Sequence, residues 1–496
     1  MNLSHAEFLA KRRHVILQED TDSPTAFTLA KDGFSQWLQD RFRHFEPSAV
    51  ASIVWDMGLE SESFRTWQRG RIRPLRDDYV PVGEWGRQGI DWLAEGMAAA
   101  SSLGIESFWN HRISEVDLPH PLMTAKDLYV PHDSPRRLNP FKQEHPDWLL
   151  KTWWPQGLWN LAVPELRTHK VAILEELLTN YPLAGIQLDF ARHTPCLPPG
   201  QEWEQREHAT EFVRLVRRMM RTIEKNSGRP LLLLARVAEN PAGGNLDGLD
   251  VETWVREGLL DVLVPGGRAT AIDFHAYRAM PGAENIAIIP SLDGHHTPAG
   301  YNGLPIEYLR GVATNFFAGG ADGISLFNWF IDRPIHPAKR QFLEELADWQ
   351  AMRTKETFYA AERRGEYPWA GNYLYRCDDR PLPAKVPPDV PLIVPVVIIQ
   401  PGRPARLDIL ATGLSSPADL ASVTFNGVPL EPGHFDPARC DQWNTFNHKA
   451  APNFPCTSFS LDGLSLVSGE NTIAISRRSE TNRDIMVQGL EIFLAT

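Results

Sequence analysis

Apolar residues gather along this chain in short runs, separated by segments whose apolar positions recur every three to four residues. The runs are VILQED (15–20), SIVWDMG (52–58), IESFWNHR (105–112), GIQLDFARH (185–193), LLLLARVAEN (231–240), DVLVPGG (261–267), NIAIIPSLDG (285–294) and GISLFNWF (323–330). They are apolar throughout rather than alternating, the pattern of parallel strands covered on both faces. Between them, Phe212, Val213, Val216, Met219, Met220 and Ile223 make one helical stripe, and Leu166, Ile173, Leu174 and Leu177 another. A Met pair on such a stripe reads as core. Strands alternating with helices up to residue 350 predict an α/β fold, a (β/α)8 TIM barrel. A doubly wound open sheet is the rival, but no Gly-rich phosphate turn follows the first strand.

The pattern changes after residue 350. Pro-rich sequence at 381–404 marks a linker, and beyond it ARLDILATGL, ASVTFNGVPL, TSFSLDGLSLVSGENTIAISRR and DIMVQGLEIFLAT read as short strands with no helical period. Asn426-Gly427 is a hairpin signal. The expected organisation is a catalytic barrel over 1–350, a linker over 351–385 and an all-β sandwich over 386–496. Two barrel connections, 57–86 and 111–162, exceed simple turns, and long loops in a compact domain are usually functional.

Composition narrows the partners. A net charge of −12 disfavours nucleic acid, which needs a basic face. No apolar run reaches membrane-spanning length, and the N-terminus lacks the apolar core of an export signal, so a cytoplasmic protein with no membrane partner is expected. The 16 Trp are mostly core by expectation, though indole faces also stack on sugar rings. Cys196, Cys377, Cys440 and Cys456 lack metal-ligand spacing and read as free thiols, with a Cys440–Cys456 pair conceivable only on export.

In a barrel of this kind the active site lies at the C-terminal strand ends. Collected there are Glu19 and Asp20, Trp55 and Asp56, Asn110, His111 and Arg112 with Glu115 beyond, and Asp189 followed by Arg192 and His193. The later strands add Arg236 and Glu239, Asp293 with His295 and His296, and Asn328 with Trp329. Glycosidic cleavage needs two carboxyl groups flanking the bond, hydroxyl-binding polar groups and aromatic platforms, and this inventory contains all three. Asp189 is expected as nucleophile or base, Glu239 as general acid and Asp293 as a third catalytic carboxylate. Apart from Glu19 and Asn110, the remaining strand-end residues, with Trp153 and Trp154 of the long loop, are expected to bind substrate. The bland alternatives are a helix-capping Asp189 paired with Arg192, a solvated Glu239 and a turn-forming Asp293. No HxH or HExxH pair exists, so neither metal nor cofactor is expected, although His295 and His296 with Asp293 leave a metal-dependent hydrolase or isomerase open.

The stretch AGIQLDFARHTP (184–195), with FWNHRISEVD (108–117) and EHPDWLL (144–150), resembles the glycosyl-hydrolase-like proteins related to family ten, over most of residues 12–350. That resemblance implies a barrel acting on a glycan. VTFNGVPL and LVSGENTIAI resemble galactose-binding-like sandwiches. The placement of Asp189, Glu239 and Asp293 is also similar to the alpha-amylase superfamily, which implies a retaining mechanism. Two features depart from that superfamily: no Arg stands two residues before Asp189, and Glu239 lies beyond its strand. A barrel that binds glycan without cleaving it is the remaining alternative. Sugar identity, linkage and oligomeric state are not legible.

Overall fold

A computed structural model of the protein describes residues 4–20, 31–42, 49–56, 85–86, 88–114, 142, 144–152, 157–266, 270–293, 305–329, 337–363, 381–399, 402–440, 453–478 and 483–496. The first unit is a parallel sheet of β1 (Val15–Asp20), β2 (Val50–Asp56), β3 (Glu106–Arg112), β4 (Gly185–Asp189), β5 (Leu232–Val237), β6 (Val262–Pro265), β7 (Ala287–Ile288), β8 (Ser291–Asp293) and β9 (Ile324–Phe327). Among the described residues its nine strands are ordered β8-β9-β1-β2-β3-β4-β5-β6-β7. The two end strands belong to one run of chain. Ile289 N–H donates to Leu263 O at 2.9 Å and Ser325 N–H to Pro290 O at 2.8 Å, so hydrogen bonding passes from β6 through 287–293 to β9.

Around the sheet lie α1 (His5–Leu9), α2 (Lys31–Phe42), α3 (Trp92–Ser102), α4 (Pro164–Asn180), α5 (Arg206–Ser227), α6 (Pro241–Leu246), α7 (Val251–Arg256), α8 (Phe274–Arg278), α9 (Ile306–Gly319), α10 (Pro337–Leu346) and α11 (Trp349–Met352). The stripe on α5 is buried as its period requires, and the helix stops at Gly228, whose φ of 66° suits a residue without Cβ. No helix among the described residues is long and apolar enough to cross a membrane.

Side chains alternate along the strands. Val15, Leu17, Ile53, Trp109, Ile186, Leu188, Leu233 and Leu263 join the helices in one large core. Ile16, Val54, Phe108, Leu232, Leu234, Val262, Val264 and Ile289 form a second cluster on the opposite face. Residues from strands far apart in the sheet share that second cluster, so the sheet is curled around it. Gly185 opens β4 because a Cβ there would lie 1.9 Å from Leu232 O on the neighbouring strand. The glycine of the motif is thus a packing residue.

The second unit contains two antiparallel sheets. One joins β10 (Thr357–Ala360), β11 (Ala384–Lys385), β13 (Ala405–Thr412), β16 (Pro432–Cys440), β17 (Asn453–Ser460) and β19 (Met486–Leu494); the other joins β12 (Leu392–Ile398), β14 (Leu420–Phe425), β15 (Val428–Pro429) and β18 (Gly469–Arg477). Val394, Val396, Val423, Phe425 and Ile473 of one sheet share a buried cluster with Leu407, Ile409, Val487, Leu490 and Ile492 of the other.

The linker expectation misses two details. β10 lies inside 351–385 yet pairs with β19, more than a hundred residues away. β12 lies inside the Pro-rich stretch and carries Pro395 opposite Thr472. Thr472 O accepts from Asn426 N–H and Thr472 N–H donates to Asn426 Oδ1 instead (both 2.8 Å), so the N–H that Pro395 lacks falls on the side of β12 away from β18. Phe358 of β10 packs into the core of the first unit.

Candidate functional site

Parallel strands end together, so their last inward-facing residues share one layer. Asp56 stands opposite Asn110, Arg112 opposite Asp189, and Asp189 opposite Arg236. Asp56 Oδ2 accepts from Asn110 Nδ2 at 2.8 Å, Gln18 Nε2 at 3.3 Å and Arg112 Nη2 at 3.1 Å. Gln187 Nε2 donates to both Gln18 Oε1 and Asn110 Oδ1 at 2.7 Å. Asp189 takes the backbone N–H groups of Ala191 (3.1 Å) and Arg192 (3.0 Å) on Oδ1 and Arg236 Nη1 (3.0 Å) on Oδ2. The Arg236 guanidinium lies 4.5 Å from the Phe327 ring centre. Gln18, Asp56, Asn110, Gln187, Asp189 and Arg236 are each no more than 2% exposed.

Two features separate this layer from a closed structural network. Gln187 Oε1 and Arg236 Nε are buried without a hydrogen-bond partner among the described residues. An unsatisfied buried polar atom costs about 1–3 kcal/mol, so both mark places where a polar ligand or ordered water belongs. A carboxylate also has about four lone-pair sites, and three donors among the described residues reach Asp189, one fewer than it can accept.

Other expected residues surround this layer. Glu239 is half-buried two residues beyond β5, at the same end of the sheet as Asp189, and its backbone O accepts from Asp273 N at 3.1 Å. His193 is buried with Nδ1 2.8 Å from Ser114 O. A carbonyl only accepts, so Nδ1 carries a proton. Asn328 follows β9 at a left-handed φ of 51°, its N–H donating to Gln18 O at 2.8 Å.

Several expectations need correction. The guanidinium on Asp189 is that of Arg236, and Arg192 contributes its backbone N–H. Trp55 faces the helices, 6.2 Å from Trp92 and 6.1 Å from Phe42, with Arg41 over its ring. His111 also faces outward, with Nε2 3.4 Å from Lys170 Nζ on α4. Burial first, then Lys170 and His169, hold its pKa well below the ordinary value, so it is a neutral core imidazole. Trp329 is fully buried, donating Nε1 to Lys339 O at 3.1 Å and packing on Phe342. For Trp55 and His111 the cause is the strand period: neighbours of Asp56 and Arg112 must point the other way. Trp329, just past β9, turns toward α10.

Asp20 and Asp293 close β1 and β8, but their side chains lie outside the described residues, as do Glu115, Trp153, Trp154, His295 and His296. Gln18 and Gln187 were not expected, although a Gln inside an apolar strand is a legible signal of a polar interior layer. Among the described residues no three His, Cys, Asp or Glu side chains are placed to hold a metal. Cys196 and Cys456 are free and buried; burial pushes the Cys456 thiol up to about 11.

No protein-family model matches the chain, and no curated protein matches it. Solved structures similar to it include a maltogenic alpha-amylase from Thermotoga neapolitana, with 11% identity, all of both chains covered and a TM-score of 0.38. A GH36 alpha-galactosidase from Geobacillus stearothermophilus bound to raffinose has 12% identity and a TM-score of 0.38, covering 91% of this chain and 56% of its own. An alpha-L-fucosidase from Paenibacillus thiaminolyticus has 14% identity and a TM-score of 0.41, covering 70% and 51% respectively. TM-scores below 0.5 leave the chemistry of this chain to be read from its own residues.

Proposed function

We propose that the protein is a glycoside hydrolase that cleaves an oligo- or polysaccharide with two carboxylates. Its first unit is read as a (β/α)8 barrel in which 287–293 counts as one strand, and its second as a β-sandwich that steadies the barrel or extends glycan binding. The observation that carries the reading is the Asp189–Arg236 pair at the C-terminal strand ends, above a polar layer with an unsatisfied acceptor and donor, with half-buried Glu239 two residues past the end of β5. Hydroxyl-rich ligands supply both the donors and the acceptors that such a layer lacks.

In the finer reading, Asp189 attacks the anomeric carbon while Glu239 protonates the leaving oxygen. Glu239 then deprotonates the water that releases the sugar, with retention. Arg236 positions Asp189; Asp293, Asp56, Arg112 and His193 contact the substrate. A barrel that binds glycan without cleaving it is favoured by one observation, the engagement of Asp189 by three donors while only 1% exposed.

The test is Glu239→Gln, because this residue is partly exposed and its loss need not unfold the rim. Turnover of a panel of aryl glycosides and oligosaccharides should fall about 100-fold or more, as for loss of a general acid, with the melting curve unchanged. Wild-type protein that binds members of the panel but hydrolyses none would establish the binding-only reading.

A further inference from the structure

We propose that a groove at the N-terminal end of the parallel sheet binds a small phosphoryl polyanion, at a site separate from the strand-end layer. The groove has a volume of about 700 Å3, a size suited to a small molecule, and is bounded by α1, the last turns of α5, the end of α7 and the segment before β7. Asp261 and Leu260, which precede β6, form part of its wall, so it opens at the end of the sheet opposite Asp189.

Its charge stands out against a chain of net −12. Two carboxylates line it, Glu224 and Asp261, and both are already matched. Arg217 lies 2.7 Å from Asp261, and His5 bridges Asp261 at 2.8 Å and Glu224 at 3.0 Å. Four further cations line the groove: Arg221, Lys225, Arg229 and Arg256. Among the described residues the hydrogen bonds of the three arginines run to neutral oxygens. Arg221 donates to Gly258 O, Arg256 to Thr253 Oγ1, and Arg229 to the carbonyls of Leu178, Tyr181 and Leu183. The earlier arginines of α5 differ, for Arg214 meets Glu207 and Glu257, and Arg218 meets Glu211 at 2.7 Å. Beyond Arg217, the basic residues of α5 that line the groove form no ion pair with a carboxylate among the described residues.

A structural explanation is available and falls short. Helices end at this side of the sheet, and cations compensate the negative ends of their dipoles. Helices α4, α5 and α7 contribute at most about −0.5 each, about −1.5 together, against four positive charges that form no ion pair among the described residues. A positive excess of about 2.5 remains, which fits a ligand with two or more negative charges. Three of the four cations are Arg, whose planar fork binds phosphoryl oxygens in pairs, and backbone carbonyls already hold two of those forks in place. Burial lowers the pKa of Arg229 where it meets only carbonyls, a cost that a nearby anion offsets.

The test uses the full chain and inorganic pyrophosphate in titration calorimetry at pH 7 and low ionic strength. Saturable one-to-one binding is expected, weakened about tenfold or more in Arg221→Ala/Lys225→Ala, since each lost charge-assisted contact is strong. Both side chains are exposed, so the melting curve should hold; the exposed Arg256→Gln is a second variant should the double one unfold. No saturable binding, or affinity unchanged in these variants, overturns the site. Citrate binding as tightly as pyrophosphate overturns its assignment to phosphoryl ligands.

Discussion

The two ends of the parallel sheet use the same ingredients to different effect. At the N-terminal end, Arg13 meets Glu106 at 2.8 Å, Lys11 joins it at 2.9 Å, and Asp261 receives Arg217, His5 and the N–H of Leu233. Among the described residues, none of Arg13, Glu106, Arg217 or Asp261 keeps a buried polar atom without a partner. At the C-terminal end, Asp56–Arg112 and Asp189–Arg236 are equally buried, yet Gln187 Oε1 and Arg236 Nε are left over. A buried ion pair alone does not identify a functional site, since both ends have them. His14 Nδ1, beside Arg13, is also left over, so the difference is narrower: at the C-terminal end the unmet capacity lies on a member of the ion pair itself, Arg236, and on Gln187 in the layer below it.

The sharpest way to break this comparison is to neutralise one carboxylate at each end. Asp189→Asn should lower turnover about a thousandfold or more, while Glu106→Gln should leave the turnover of folded protein unchanged. Both variants should lose stability, because each strands a buried Arg, a loss of about 3–5 kcal/mol in a denaturant titration. Equal effects on rate would erase the distinction between the ends.

A smaller effect is expected at Gln187→Leu. It leaves Gln18 Oε1 and Asn110 Oδ1 short of a donor, at about 1–3 kcal/mol for each orphaned atom. Glycan affinity, read by calorimetry, should fall as well. Stability loss with full affinity would make the layer structural only.

The smallest expected effect is a pH slope at the N-terminal end. Hydrogen bonds to Asp261 and then Glu224 raise the His5 pKa from 6.5 to about 9. The folded protein therefore holds this proton more tightly than the unfolded chain, and the contribution is complete below about pH 6.5 and lost as pH rises through 9. Melting temperature should decline across that window in the wild type more than in His5→Asn. Because His5 is 39% exposed, solvent screening keeps the effect modest.

Much of this architecture was legible in the sequence. The apolar runs and the stripe on α5 follow from local periodicity, which needs no knowledge of distant partners. The strand ends themselves were readable, so Asp56, Arg112, Asp189 and Arg236 could be collected together. Tertiary structure decided which residues of each strand end face inward, and so removed Trp55 and His111 from the site, since a period of two assigns neighbours to opposite faces but does not say which face is the interior. It also chose Arg236 over Arg192 as the cation on Asp189, because residues 47 apart became register partners on adjacent strands. β10 escaped the sequence reading for the same reason: its four residues become a strand only when β19, far along the chain, supplies the other side of the ladder.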